Sequence, residues 1–425
     1  MDTVNPLATP FDTPPLGVTS GQYLYIGGSD IFNPFNQPAQ HLPLHWAKHI
    51  EQLDLVGYTR FYDGPPASRF LRLRKGIKNI LQKQSRVIIT HEGTTRRIAA
   101  RRLRLPGLTD PLVQDLWIYT ILRRYLAPHY DVGIVYDPES ALLARWLKRS
   151  QRVGLLVYHD IDYYPYVRSH WKKIIAWRER MVVRDSDAVI SVSRPLVKLR
   201  MEQGAKQVLY LPNGVNFEQF NEANRYREEG GIRPPTLLYS GTLDLRWGVD
   251  LPLQAMPSLL LQVPDACLLI AGTGPAEGEL KALSQSLGLG KSVQFLGMIP
   301  YKDLPQVMAR ADVGLATSRE DIFRQFASPL KVVEYMAAGL PVICSGGGEA
   351  ELMINESGGG KNIPFLPKAF TQAAQSLLTR QDELAACRRA AIAYAHSRSW
   401  QRLGKQLAEF LLQLTDQAAR PQIEP

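Results

Sequence analysis

TLLYSGTLDLRWGVD, Thr236–Asp250, begins as an apolar β-type run, turns at Gly241 and then takes on the character of a helix start. ACLLIAGTGPAEGEL, Ala266–Leu280, repeats that scheme with Gly272 and Gly274 in the turn. A short apolar strand that ends on glycine and feeds a helix is the repeating unit of a parallel α/β sheet. The series continues with SVQFLGMIP as a strand, DLPQVMARAD as a helix and VGLATS as a strand. FASPLKVVEYMAAGLPVIC, Phe326–Cys344, adds a helix closed by Gly339, with Pro341 beyond it, and another strand.

The preceding half alternates in the same way. QYLYIGG (22–28) reads as a first strand running into glycines, followed by RVIITHEG, DVGIVYDP, VGLLVYHD, DAVISVS and QVLYLPNGV as further strands. Basic or amphipathic helix-like segments separate them. FNEANRYREEGGIRPP (220–235) loses apolar character and gains charge, glycine and proline, which marks a linker. The pattern predicts two doubly wound α/β halves facing a central cleft. Ligands of such sheets sit at the carboxyl ends of strands, where loops and helix N-termini gather. A chain of 425 residues suits two domains.

The formal net charge is +10, and it is concentrated. RFLRLRKGIKNILQK and TTRRIAARRLRL are nearly free of acids, and YYPYVRSHWKKIIAWRERMVVR (163–184) mixes Lys and Arg with Trp and Tyr. Such surfaces suit anionic partners: phosphorylated substrates, an anionic membrane face or nucleic acid. No nucleic-acid-binding module accompanies them, so no nucleic-acid partner is expected. Three scattered cysteines, Cys267, Cys344 and Cys387, give neither a disulfide framework nor metal-ligand spacing. These features lead us to expect a cytoplasmic protein with no cofactor and no metal, resting peripherally on the inner face of the plasma membrane. Residues 1–20 are expected to be a loose, Pro- and Thr-rich tail.

Within Phe326–Cys344 one charge is misplaced. With Ser328 as N-cap and Pro329 as the first helical residue, Lys331 falls in the first turn, at the positive pole of the helix dipole. A cation is unfavourable there until an anion arrives, and a phosphate suits the unpaired N–H groups of a helix start. Glu334 lies nearly one turn deeper, placed either to accept hydrogen bonds from ribose hydroxyls or to form a simple i,i+3 pair with Lys331.

These segments together resemble the GT-B glycosyltransferases of the family 4 type. The resemblance is carried by GGSD, VYHD, SDAVISVS, LYLPNGVNFEQF, LLYSGTLDLRWGVDLPLQAM, LLIAGTGP, VQFLGMIPYKDLPQVMARADVGLATS, SPLKVVEYMAAGLPVICS and the late SW. It implies two Rossmann-like domains: an acceptor domain (21–222) and a nucleotide-sugar domain (223–398). A final segment (399–425) would supply a helix that packs back on the first domain, then a tail. The donor, a UDP- or GDP-sugar, would meet Gly241, Arg246, Gly272 and Gly274. Ser328, Pro329, Leu330 and Lys331 would hold its diphosphate and Glu334 its ribose. Gly27 and Gly28 would face the diphosphate or the acceptor, and Asn213 and Gly214 would lie near the hinge. The implied activity is transfer of a hexose-type sugar to a glycan or lipid-linked acceptor, in cell-surface polysaccharide or glycolipid synthesis.

The chain departs from the family pattern where an arginine and a lysine usually follow the first glycine of the donor domain: Thr242 and Trp247 stand there. The first carboxylate of the family's Glu-x7-Glu pattern is replaced by Phe326. The retaining or inverting outcome is therefore open. An inverting enzyme needs a general base, and His159, Asp160 and Asp162, just past VGLLVYH, are the candidates. A retaining enzyme could use His159 to contact the donor sugar. Asp30 and Glu92 read equally well as turn or cap residues. The rival activities are a nucleotide-sugar epimerase of the same fold and a non-catalytic binding protein.

Overall fold

The computed structural model describes residues 19–27, 37–60, 87–102, 118–120, 122–164, 172–229, 231 and 233–419. Gly28, Asp30, residues 1–18 and the RFLRLRKGIKNILQK stretch lie outside them. Two sheets form. The first contains β1 (Thr19–Ile26), β2 (Ile50–Arg60), β3 (Val87–Glu92), β4 (Thr95–Arg102), β5 (Tyr130–Val135), β6 (Val153–Asp160), β7 (Ala188–Ser191) and β8 (Val208–Tyr210). Its order is β3-β4-β2-β1-β5-β6-β7-β8. It is parallel except for the β3–β4 hairpin. The second contains β9 (Thr236–Ser240), β10 (Cys267–Ala271), β11 (Val293–Gly297), β12 (Val313–Ala316), β13 (Val342–Cys344) and β14 (Gly360–Asn362). Its order is β11-β10-β9-β12-β13-β14, all parallel. Strand order therefore reverses beside β1, at β5, and beside β9, at β12. These switch points open a crevice at the strand ends and position the site.

Several local expectations are corrected. TTRRIAARR, read only as a basic run, is β4. Its alternate residues Ile98 and Ala100 are fully buried, while Arg96 reaches Asp54 on the neighbouring β2. Tyr130 gives the same carboxylate a hydrogen bond. The supposed linker begins as a helix, Phe217–Glu229, whose Phe220 and Ala223 are buried in the second domain's core. Thr19 and Ser20, placed in the tail, already belong to β1.

The chain crosses between domains at Asn213–Asn216, not at 220–235, and crosses back beside the same point. Val215 N donates to Arg398 O at 3.0 Å, and Trp400 N donates to Val215 O at 3.1 Å. A Cβ on Gly214 would come within 2.7 Å of the Trp400 ring, so only glycine fits between the two crossings. The last helix, Trp400–Ala419, then returns to the first domain. Its Trp400, Leu403, Leu407 and Leu411 share a core with Tyr23, Leu42, Trp46 and Leu53.

Candidate active site

The helix of Lys331 runs Leu330–Ala337, with Pro329 in extended conformation at the N-cap and no side-chain cap. The start thus lies one residue later than the sequence suggested. Ser328 is turned to the hinge instead: its carbonyl accepts from Asn213 Nδ2 at 2.8 Å and its Oγ from Asn213 N at 3.4 Å. Leu330 packs against the first domain's core. Ser328 and Leu330 therefore join the domains with their side chains. Lys331 is the member of the quartet whose charge remains for the crevice.

Lys331 Nζ lies 4.4 Å from the Tyr239 ring centroid and 3.5 Å from the Tyr239 hydroxyl. A Cβ on Gly241, whose φ is +145°, would sit 3.3 Å from Nζ, so glycine here keeps the space in front of the amine open. Burial, reinforced by the charge of Arg324, lowers the amine's pKa to about 7. Glu334 accepts a hydrogen bond from the Tyr301 hydroxyl at 3.0 Å, so its contact is Tyr301 rather than an ion pair with Lys331. Burial raises its carboxyl to about 7.

The other glycines at the strand ends of the second domain have a different reason. A Cβ on Gly272 would overlap Gly241 O, and one on Gly274 would overlap Leu243 O. Both are required by the packing of neighbouring strand-end loops. Arg246 is mostly exposed and pairs with Asp244 at 2.9 Å, so it does not replace a charge in the crevice. The buried Arg324, which sequence reasoning missed, does lie there, against Trp247.

Across the crevice, Gly27 ends β1 and donates its N–H to Val56 O at 2.9 Å. The structure separates His159, Asp160 and Asp162. Asp160 is fully buried, with both carboxylate oxygens bound by Arg200 at 2.7 and 2.8 Å and Ser191 Oγ at 3.3 Å. A carboxylate so engaged holds the sheet to helix Arg194–Glu202, which removes it as a general base. His159 is buried, shares a 2.9 Å hydrogen bond with the Tyr25 hydroxyl through Nδ1, and is driven by desolvation down to about 3. It is a neutral imidazole and a weak base. Asp162, half-buried on the loop past β6, is raised to about 7 by burial and by the charge of Asp160. On the same loop Tyr163 stacks on Phe326, with centroids 4.8 Å apart. That contact brings the loop of Asp162 up to the segment leading to Lys331.

Two family models cover most of the chain: a glycosyl transferase 4-like domain over residues 89–214 and glycosyl transferases group 1 over residues 222–394. A GDP-mannose-dependent alpha-(1-6)-phosphatidylinositol monomannoside mannosyltransferase of Mycobacterium tuberculosis is 31% identical over 323 residues, covering 70% of this chain and 80% of that protein. The chain belongs to the GT-B glycosyltransferases of the family 4 type. A phosphatidyl-myo-inositol mannosyltransferase of Mycobacterium leprae is 26% identical over 271 residues, 63% of this chain and 69% of that one. Among solved structures, a sucrose-phosphate synthase from Thermosynechococcus elongatus superposes with a TM-score of 0.67 at 19% identity, covering 93% of this chain and all of that one. Anabaena HepE in complex with UDP-glucose gives 0.66 at 17%, covering 92% of this chain and all of that one.

In this glycosyltransferase the family's first glutamate is replaced by a residue with two structural contacts. The Phe326 ring meets Tyr163, and its carbonyl accepts from Ser193 Oγ at 2.7 Å. Both partners belong to the other domain, so position 326 holds the domains together.

Proposed function

We propose that this glycosyltransferase moves a hexose-type sugar from a UDP- or GDP-linked donor to a glycan or lipid-linked acceptor, in the synthesis of cell-surface glycan or glycolipid. The observation that carries the reading is Lys331: a cation at a helix N-terminus, depressed by burial, beside a glycine where any side chain would crowd the amine. As the glycosidic bond breaks, negative charge grows on the leaving diphosphate. A preorganised cation and helix N-terminus favour that state over the bound donor. Glu334, behind Lys331, would meet the ribose. The phosphatidylinositol acceptors of the mycobacterial relatives support a lipid-linked acceptor.

The test is a thermal-shift screen of UDP, GDP and their hexose conjugates, followed by release of the diphosphate with and without acceptor. A ligand at a hundredfold excess over its Kd stabilises by about 2.7 kcal/mol, which is a clear rise in melting temperature. One base should give that rise, and release should need an acceptor. No shift with either base would end the donor assignment, and conversion of the sugar nucleotide without acceptor would favour the epimerase.

A membrane-borne acceptor accords with the surface of helix Lys172–Asp185. Lys173, Trp177, Arg180 and Arg184 follow one face at helical spacing, and Trp177 is 49% exposed. Arg145, Trp177, Arg180, Met181, Arg184 and Asp185 line a groove of about 450 Å³ there. Among the described residues no helix is long and apolar enough to cross a membrane. Anionic phosphatidylglycerol vesicles should co-sediment with the protein, less so as salt rises, and Trp177→Ala with Arg180→Glu should release it. Equal binding to neutral vesicles would remove this surface from the account.

A further inference from the structure

Arg324 is only 8% exposed, yet no motif marks it. It sits in the short helix Ile322–Phe326, just before the Lys331 helix. Its Nε donates to Ser318 Oγ at 3.1 Å, and its guanidinium carbon lies 4.9 Å from the Trp247 ring centroid. Ser318 Oγ in turn donates to Ser345 O at 3.0 Å. The guanidinium is thereby fixed at the carboxyl ends of β9, β12 and β13, on the Lys331 side of the crevice. Among the described residues no carboxylate forms an ion pair with it. Burial lowers its pKa, while Asp321, Tyr239 and Cys344 oppose that shift. A buried guanidinium without a counter-ion costs free energy that an arriving anion offsets.

We propose that Arg324, stacked on Trp247, is the second cation of the donor site and contacts the terminal phosphate of the nucleoside diphosphate. It supplies the positive charge missing at Thr242 and Trp247. The indole offers a face for the guanidinium to lie on. The planar fork can then grip two phosphate oxygens, which an ammonium does less well. Trp247 is on this view not a lost lysine but the platform for an arginine brought from another loop. The proposal rests on reading the crevice as a nucleotide-sugar site.

Calorimetric titration of the full-length protein with UDP, UMP, GDP and GMP tests it. Wild type should prefer the diphosphate of its base over the monophosphate. Arg324→Gln should cut that preference by about tenfold, roughly 1.4 kcal/mol, with the monophosphate Kd moving little. Arg324→Lys, which keeps the charge and loses the fork, should cut it severalfold. An unchanged preference in Arg324→Gln that melts like wild type overturns the proposal. If Arg324→Gln does not fold, an unchanged preference in Arg324→Lys does so. A wild type that binds none of the four nucleotides overturns the donor assignment itself, and this proposal with it.

Discussion

Lys331→Ala should lower kcat/KM by about 10²- to 10³-fold, the usual loss when one preorganised stabiliser of transition-state charge is removed. Its melting temperature should stay level or rise. The two outcomes share a cause. In the free enzyme Lys331 is a desolvated cation at the positive pole of a helix, near Arg324, and its pKa falls to about 7 from an ordinary value of 10.5. The unfolded chain therefore holds its proton more tightly than the folded one. Between about pH 7 and 10 the ligand-free enzyme gains stability as pH rises, because the folded state no longer carries the unfavourable charge. Lys331→Ala should lose that rise, as thermal melts across this range would show. A bound diphosphate reverses the preference by favouring the ammonium, so nucleotide affinity should decline above pH 7 with net proton uptake on binding. Arg324, Glu334, Cys344 and Tyr239 face the same amine. Glu334, raised to about 7, ionises over this range and adds to the decline near pH 7. Full activity in Lys331→Ala would remove the anion site from the crevice.

The second domain was legible because its strands are short apolar runs punctuated by glycine, and burial on both faces leaves little room for polar residues. The first domain was less so. In β4 the arginines mask a two-residue period whose buried apolar members, among the described residues, are Ile98 and Ala100. At the start of the second domain, Phe217–Glu229 was hidden too: just two residues, Phe220 and Ala223, are buried, too few to mark a helix within a polar run. Lys331 could be read because its anomaly is local: a charge set against the dipole of its own helix. Arg324 could not, since its ring partner and its serine come from separate loops. The loop packing that requires Gly272 and Gly274 was not legible, because sequence does not distinguish a close ligand from a close neighbouring loop. Asp160 looked available because Arg200 stands 40 residues on and meets it only in the folded chain.

Asp162→Asn is the substitution that decides the stereochemistry. Of the three acidic or basic side chains at the end of β6 and just past it, Asp162 alone combines partial exposure with a pKa near neutrality, about 7, where a general base is most effective. Desolvation sets that value, and the charge of Asp160 adds to it. Because Arg200 holds Asp160 in place, the like charge beside Asp162 is fixed in position. An acceptor hydroxyl entering between the loop of Asp162 and the helix of Lys331 would lose its proton to Asp162 as it attacks the sugar from the face opposite the diphosphate. Asp162→Asn should then reduce kcat by about 10²- to 10⁴-fold with the donor's KM little changed. The wild-type rate should rise with pH through about 7 as Asp162 ionises, and the variant should lose this limb. His159→Gln should cost less, because a neutral imidazole hydrogen-bonded to Tyr25 can position a sugar without exchanging its proton. The anomeric configuration of the product supplies the independent reading. Inversion requires a base and fits Asp162. Retention together with an active Asp162→Asn would place the attacking hydroxyl on the diphosphate's own side and leave Asp162 without a chemical task.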